Sequence, residues 1–134
     1  DGPLKIEIEN KIHELKLENN IKLLGRRNDI NKLLNAADVY LMPSLYEGMP
    51  TSAIEAQCNG LPSLLSNTID NQVKIINETK LLSLDNIDMW VNEMKHININ
   101  QNREKSILEV KNAKYDIKDV ADIILKLYED NIND

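Results

Sequence analysis

The sequence predicts an α/β fold: a Rossmann-like parallel sheet with flanking helices, followed by C-terminal helices. Three observations carry this expectation. Short apolar runs at 21–24, 39–42, 62–65 and 81–84 take turns with segments of helical period, and strands alternating with helices imply parallel pairing through right-handed crossovers. Gly25, Pro43 and Gly60 punctuate the ends of these segments. Beyond Asp85 the strand-like runs cease and only helix-period segments remain. The chain therefore reads as one domain over 1–134, with an α/β core at 1–86 and C-terminal helices at 87–134.

Each element follows from its residues. Pro3 at a first helical position starts a helix that presents Leu4, Ile8, Ile12 and Leu15 on one side and ends near Asn19 and Asn20. Residues 21–24 form a short strand stopped by Gly25. Asn28 or Asp29 caps a helix through Ile30, Leu33, Leu34 and Ala37, and 39–42 is a buried strand ended by Pro43. Thr51 or Ser52 caps the next helix, which runs to Cys58 and is stopped by Gly60 in a left-handed conformation. Residues 62–65 are a third strand, 72–76 a short helix and 81–84 a fourth strand. Residues 88–96 and 117–129 read as amphipathic helices, with a polar, Asn-rich stretch at 98–103 between them.

The run Glu47-Gly48-Met49-Pro50-Thr51-Ser52-Ala53-Ile54-Glu55 places two carboxylates around the start of one helix. Unpaired backbone N–H groups there, together with the helix dipole, favour a phosphate. Carboxylates repel that phosphate, so their useful partners are hydroxyl donors on either side of it, a sugar and a ribose. Ligands of open parallel sheets bind beyond the carboxyl ends of strands; the segments 42–50, 66–70 and 25–28 are such ends, and the last carries Arg26 and Arg27.

A net charge of −6 and a pI near 4.9 argue against a nucleic-acid or anionic-membrane surface. No apolar run has the length of a membrane span, and no basic-then-apolar leader opens the sequence. Cys58, the single cysteine, excludes an internal disulfide and reads as a buried small hydrophobe. His13 and His96 read as helix-surface residues, and Asn77-Glu78-Thr79 as a chance match to a glycosylation acceptor. No Asp-any-Asp motif or carboxylate cluster at ligand spacing suggests a metal, and no cofactor is expected.

Asp1-Gly2-Pro3-Leu4, Leu23-Leu24-Gly25-Arg26, the run from Leu33 to Ser44, the two glutamates, and Gly60-Leu61-Pro62 together resemble the donor-binding part of the GT-B retaining glycosyltransferases of family four, or group 1. Residues 1–66 carry nearly all of this resemblance. It implies a nucleotide-sugar-binding domain, truncated at its N-terminus, of an enzyme that moves a hexose from a nucleotide diphosphate sugar, expected to be a UDP-sugar, to a saccharide, lipid or polymer hydroxyl. In that scheme Glu47, Gly48, Met49 and Pro50 hold the donor sugar and Thr51 and Ser52 meet the diphosphate. Glu55 accepts from the ribose, and Gly25, Arg26 and Arg27 lie beside the nucleobase. No nucleophile is assigned and the reaction is metal-independent. The resemblance also implies an acceptor-binding domain and two central strands absent from this chain. The strand at 21–24 then loses both neighbours, and must pair in a new place, pair with another chain in an oligomer, or belong to a longer polypeptide. The expected location is cytoplasmic, with peripheral attachment of the parent to the membrane's inner face left open, and this fragment alone is expected to be inactive.

Every residue singled out also has an ordinary structural use. Glu55 fits a capping-box residue reaching back to Thr51 or Ser52, Glu47 a solvated loop residue, and Arg26 and Arg27 plain surface residues. Two further functions fit the same residues: a non-catalytic sugar-nucleotide-binding or interaction module, and a nucleotide-sugar epimerase of the same fold.

Overall fold

The structure is a computed structural model that describes residues 2–99 and 103–132. Asp1 of the resemblance and residues 100–102 of the polar stretch lie outside the described residues. The chain forms two compact units, 1–30 and 31–134.

In the first unit, α1 spans Lys5–Glu14. It ends earlier than expected because Lys16 turns to φ 56°, a left-handed conformation that stops the helical ladder. No residue of α1 is buried. Residues 21–24 are not a strand, contrary to expectation: no described strand lies alongside to take their backbone hydrogen bonds, and a strand exists only through its ladder. Ile21, Leu23 and Leu24 remain exposed.

The second unit holds a three-stranded parallel sheet in the order β1-β2-β3, with β1 at Tyr40–Met42, β2 at Ser63–Ser66 and β3 at Thr79–Leu82. Tyr40 pairs with Ser63 and Met42 with Leu65, while Ser63 pairs with Thr79 and Ser66 with Leu82. Every residue of β2 is buried, as a central parallel strand covered on both faces must be. Leu65 packs with Ala53, Ile69 and Val73 on one face; Leu64 packs with Leu82 and Trp90 on the other. By contrast β1 is only half-buried, because among the described residues it pairs on one side alone and leaves Leu41 exposed, so the expected buried strand stands there as an edge.

Helix α2 (Ile30–Ala36) anchors through Leu34 against Ala56 and Leu61 of the next crossover. That crossover contains α3, Thr51–Cys58. Its C-terminus is a Schellman motif: Leu61 N–H donates to the Ala56 carbonyl at 3.0 Å and Gly60 N–H to that of Gln57 at 2.9 Å, with Gly60 at φ 72°. Gln57 is fully buried and fully satisfied. Its amide nitrogen donates to the carbonyls of Ala53 (3.1 Å) and Val73 (2.8 Å), and its amide oxygen accepts from Ile75 N–H (3.0 Å), Ile76 N–H (3.2 Å) and the Thr79 hydroxyl (2.8 Å). This network explains two departures from expectation. The predicted helix at 72–76 shrinks to a 3₁₀ turn at Asn71–Val73, because the N–H groups of Ile75 and Ile76 bond to Gln57 instead of to a helical turn. The predicted strand at 81–84 begins instead at Thr79, whose hydroxyl Gln57 holds.

Helix α4 spans Ile87–His96, capped by Asn86, whose side chain accepts from Met89 N–H at 3.0 Å. Its Trp90 donates to the Ser83 carbonyl at 2.8 Å. Helix α5, Arg103–Asn112, was not expected; it packs against α3 and buries Ser106 and Val110. Helix α6 spans Ile117–Ile132. No helix among the described residues is long and apolar enough to cross a membrane.

Candidate functional site

The carboxyl ends of β1 and β2 point the same way, so the loops that leave them, 43–50 and 67–70, share one rim of the sheet. Between them lies an open cleft of about 560 Å³, with Glu47, Gly48 and Met49 on one wall and residues 67–72 on the other. Thus two of the three strand ends singled out in the sequence meet at one cleft. The third, with Gly25, Arg26 and Arg27, belongs to the first unit.

Glu47 is half-buried, and one of its oxygens accepts a 2.9 Å hydrogen bond from the Ser44 hydroxyl. Ser44 is itself held: its backbone carbonyl accepts from the Thr68 hydroxyl at 3.0 Å, across the cleft. Glu47 is therefore a fixed carboxylate rather than a freely solvated one.

The helix start differs from expectation in its cap. Pro50, buried and extended at φ −74° and ψ 103°, is the N-cap, and its carbonyl accepts from Ala53 N–H at 3.0 Å. Thr51 and Ser52 are the first two helical residues. Ser52 does not cap because its hydroxyl accepts from Tyr40 at 2.9 Å, which ties β1 to α3. With no side-chain hydrogen bond at the cap, the N–H groups of Thr51 and Ser52 are the orphan donors of the helix start. Glu55, exposed and five positions beyond Pro50, stands outside capping-box spacing, which needs the third helical residue. Its capping role falls away.

Tyr40 sits where these groups converge. Burial pushes its phenol up from the ordinary value, against the pull of the Ser52 hydrogen bond, and the charges of Glu47 and Glu55 raise it further. Both carboxylates thus act on one hydroxyl. Met49, at the tip of the turn, receives the Tyr115 hydroxyl at 3.8 Å from its sulfur, so the segment after α5 reaches the same turn.

In the first unit Gly25 adopts φ 61°. Arg27 forms a bidentate pair with Asp29, at 2.8 and 2.6 Å, and this bond holds the Asp29 carboxyl below its usual range. Arg27 is thereby committed to a neighbour. Arg26 is exposed.

Tyr40, Ser44, Thr68 and Tyr115 were missed as site residues. Ser44, three positions before Glu47 in a Pro43-led turn, carried a local signal; Thr68 and Tyr115 reach the site only through the fold.

Comparison with known proteins names the family. Residues 1–115 match the family described as glycosyl transferases group 1. The chain is 39% identical over 100 residues to the UDP-Gal:alpha-D-GlcNAc-diphosphoundecaprenol alpha-1,3-galactosyltransferase of Escherichia coli, an alignment covering 72% of the chain and 26% of that protein. It is 30% identical over 120 residues to the N,N'-diacetylbacillosaminyl-diphospho-undecaprenol alpha-1,3-N-acetylgalactosaminyltransferase of Campylobacter jejuni, covering 81% of the chain and 30% of that protein. Protein CapJ of Staphylococcus aureus is 32% identical over 114 residues, covering 83% and 29%. The chain thus spans less than a third of the length of these relatives. No solved structure matches it significantly. The chain belongs to the group 1 glycosyl transferases.

Proposed function

We propose that this group 1 glycosyl transferase segment binds a nucleotide diphosphate sugar at the turn between β1 and α3. In this reading it is the C-terminal, donor-binding part of a GT-B enzyme that transfers a hexose, with retention, to a saccharide, lipid or polymer hydroxyl. The observation that carries it is the helix start: Glu47 is fixed by Ser44 at the cleft, orphan amides follow at Thr51 and Ser52, and exposed Glu55 comes one turn later. A diphosphate on the amides lies between two carboxylates that accept from hydroxyls, with Glu47 toward the sugar and Glu55 toward the ribose. Gly48, Met49 and Pro50 shape the sugar side. UDP-galactose is the first donor to test, because the Escherichia coli relative is named for it, and that name and the Campylobacter one both point to lipid-diphosphate acceptors. Charge on the leaving diphosphate is met by the helix start and by basic groups rather than by a metal. The parent acts at the cytoplasmic side, where nucleotide sugars are available, and the 134-residue chain alone does not turn over donor.

Calorimetric titration with UDP and UDP-galactose tests the two carboxylates. Glu55→Gln weakens both ligands, since both contain ribose; Glu47→Gln leaves UDP nearly unchanged and weakens UDP-galactose. The expected loss is about 1–3 kcal/mol, roughly 5- to 150-fold. Equal weakening of both ligands by both variants, or by neither, refutes the assignment.

A further inference from the structure

We infer that Thr68 is a positioning residue that sets the place of Glu47 in the cleft by fastening its two walls together. The inference rests on the donor-site reading above. Its basis is a count of protons along a chain of hydroxyls. The Thr68 hydroxyl has one proton, and it goes to the Ser44 carbonyl at 3.0 Å. The 2.8 Å contact between the Thr68 and Ser66 hydroxyls must then be donated by Ser66. Ser66 oxygen in turn accepts from Thr68 N–H at 3.2 Å, closing a small ring at the end of β2. The Ser44 hydroxyl, free of the tether, donates to Glu47 at 2.9 Å.

The buried Ser66 hydroxyl thus donates to Thr68 and the Thr68 hydroxyl to the Ser44 backbone carbonyl, while the separate Ser44 hydroxyl donates to one oxygen of Glu47. Ser66 is fully buried in the central strand, so the carboxylate is referenced to that buried strand although it stands on a loop. One Glu47 oxygen is occupied by Ser44; the other is left to accept from a ligand hydroxyl. Thr68 also lines the cleft, so the residue that fixes the width of the cleft borders its contents. A carboxylate displaced by about 1 Å loses hydrogen-bond geometry with a bound hydroxyl.

The test measures UDP and UDP-galactose dissociation constants for the chain carrying Thr68→Val, Thr68→Ser or Glu47→Gln, and reads the ratio of the two constants. A general loss of folded protein weakens both ligands and leaves this ratio alone. Thr68→Val, which keeps the shape and removes the hydroxyl, is expected to shift the ratio about three- to tenfold against UDP-galactose, with Thr68→Ser restoring it. An unchanged ratio in Thr68→Val overturns the inference while the donor-site reading stands, provided Glu47→Gln shifts it. Equal shifts in the valine and serine variants also overturn it, because the hydroxyl is then not the active group. If Glu47→Gln leaves the ratio unchanged, or the chain binds neither nucleotide, the donor-site reading itself fails and the inference falls with it.

Discussion

Two short helices, α1 and α3, show what makes a segment of this chain part of a core. The ten residues of α1 carry apolar side chains at helical spacing, yet none is buried. The eight residues of α3 bury Ala53, Ala56 and Gln57, two of them small and one polar. Hydrophobicity by itself therefore does not mark the core here. Isolated helices this short are marginal in water, and their stability comes from what they pack against. For α3 that is a sheet face, helix α5 and a saturated amide; for α1, Leu4 and Ile8 stay exposed.

Breaking the amide network has the largest effect. Gln57→Leu keeps the volume near native but strands the Ile75 and Ile76 N–H groups, the Thr79 hydroxyl and the Val73 carbonyl in the interior. With four unsatisfied groups at about 1–3 kcal/mol each, a total loss of roughly 4 kcal/mol or more is expected. Urea unfolding followed by the fluorescence of Trp90 measures it, and a loss below about 1 kcal/mol means that the amide is dispensable. The end of α3 ranks second. In Gly60→Ala the new Cβ takes φ 72° and meets Arg103 Cγ at 3.0 Å and Cα at 3.2 Å. The expected cost is about 1–2 kcal/mol, seen as a lowered Tm by circular dichroism. The smallest effect belongs to α1: Ile8→Ser changes stability by about 0.5 kcal/mol or less if this face is as open as it stands. A loss above about 1 kcal/mol in the same melt shows that the face is covered in solution, and the contrast between the helices then disappears.

What the sequence revealed of this architecture was local. Gly60 announced the end of α3 because a left-handed residue after a helix favours glycine. The Pro43 stop, the central strand through Leu64 and Leu65, and the two-glutamate turn were equally readable from neighbours along the chain. Most of the errors involve partners far away. Residues 21–24 have the apolar run and the glycine of a strand but no described ladder. Residues 72–76 have a helical pattern, overruled by Gln57 from the preceding crossover. Helix α5 was missed because its exposed Ile107 and Leu108 blur the apolar period, although the Lys105 and Glu109 pair at 3.3 Å is a local helix signal. At the site, the glutamates were legible and the cap was not, because the Ser52 hydroxyl accepts from Tyr40 rather than from its own helix.

The outer strand carries one more consequence, for association between molecules. An edge strand offers unpaired N–H and C=O groups that another chain can extend into an aggregate. Among the described residues no strand pairs with the free side of β1, and Leu41 adds an exposed apolar side chain there. But β1 is three residues long, and Pro43 follows it at once with no N–H to offer. Three residues and the proline after them leave few backbone groups on that side for another chain to pair with.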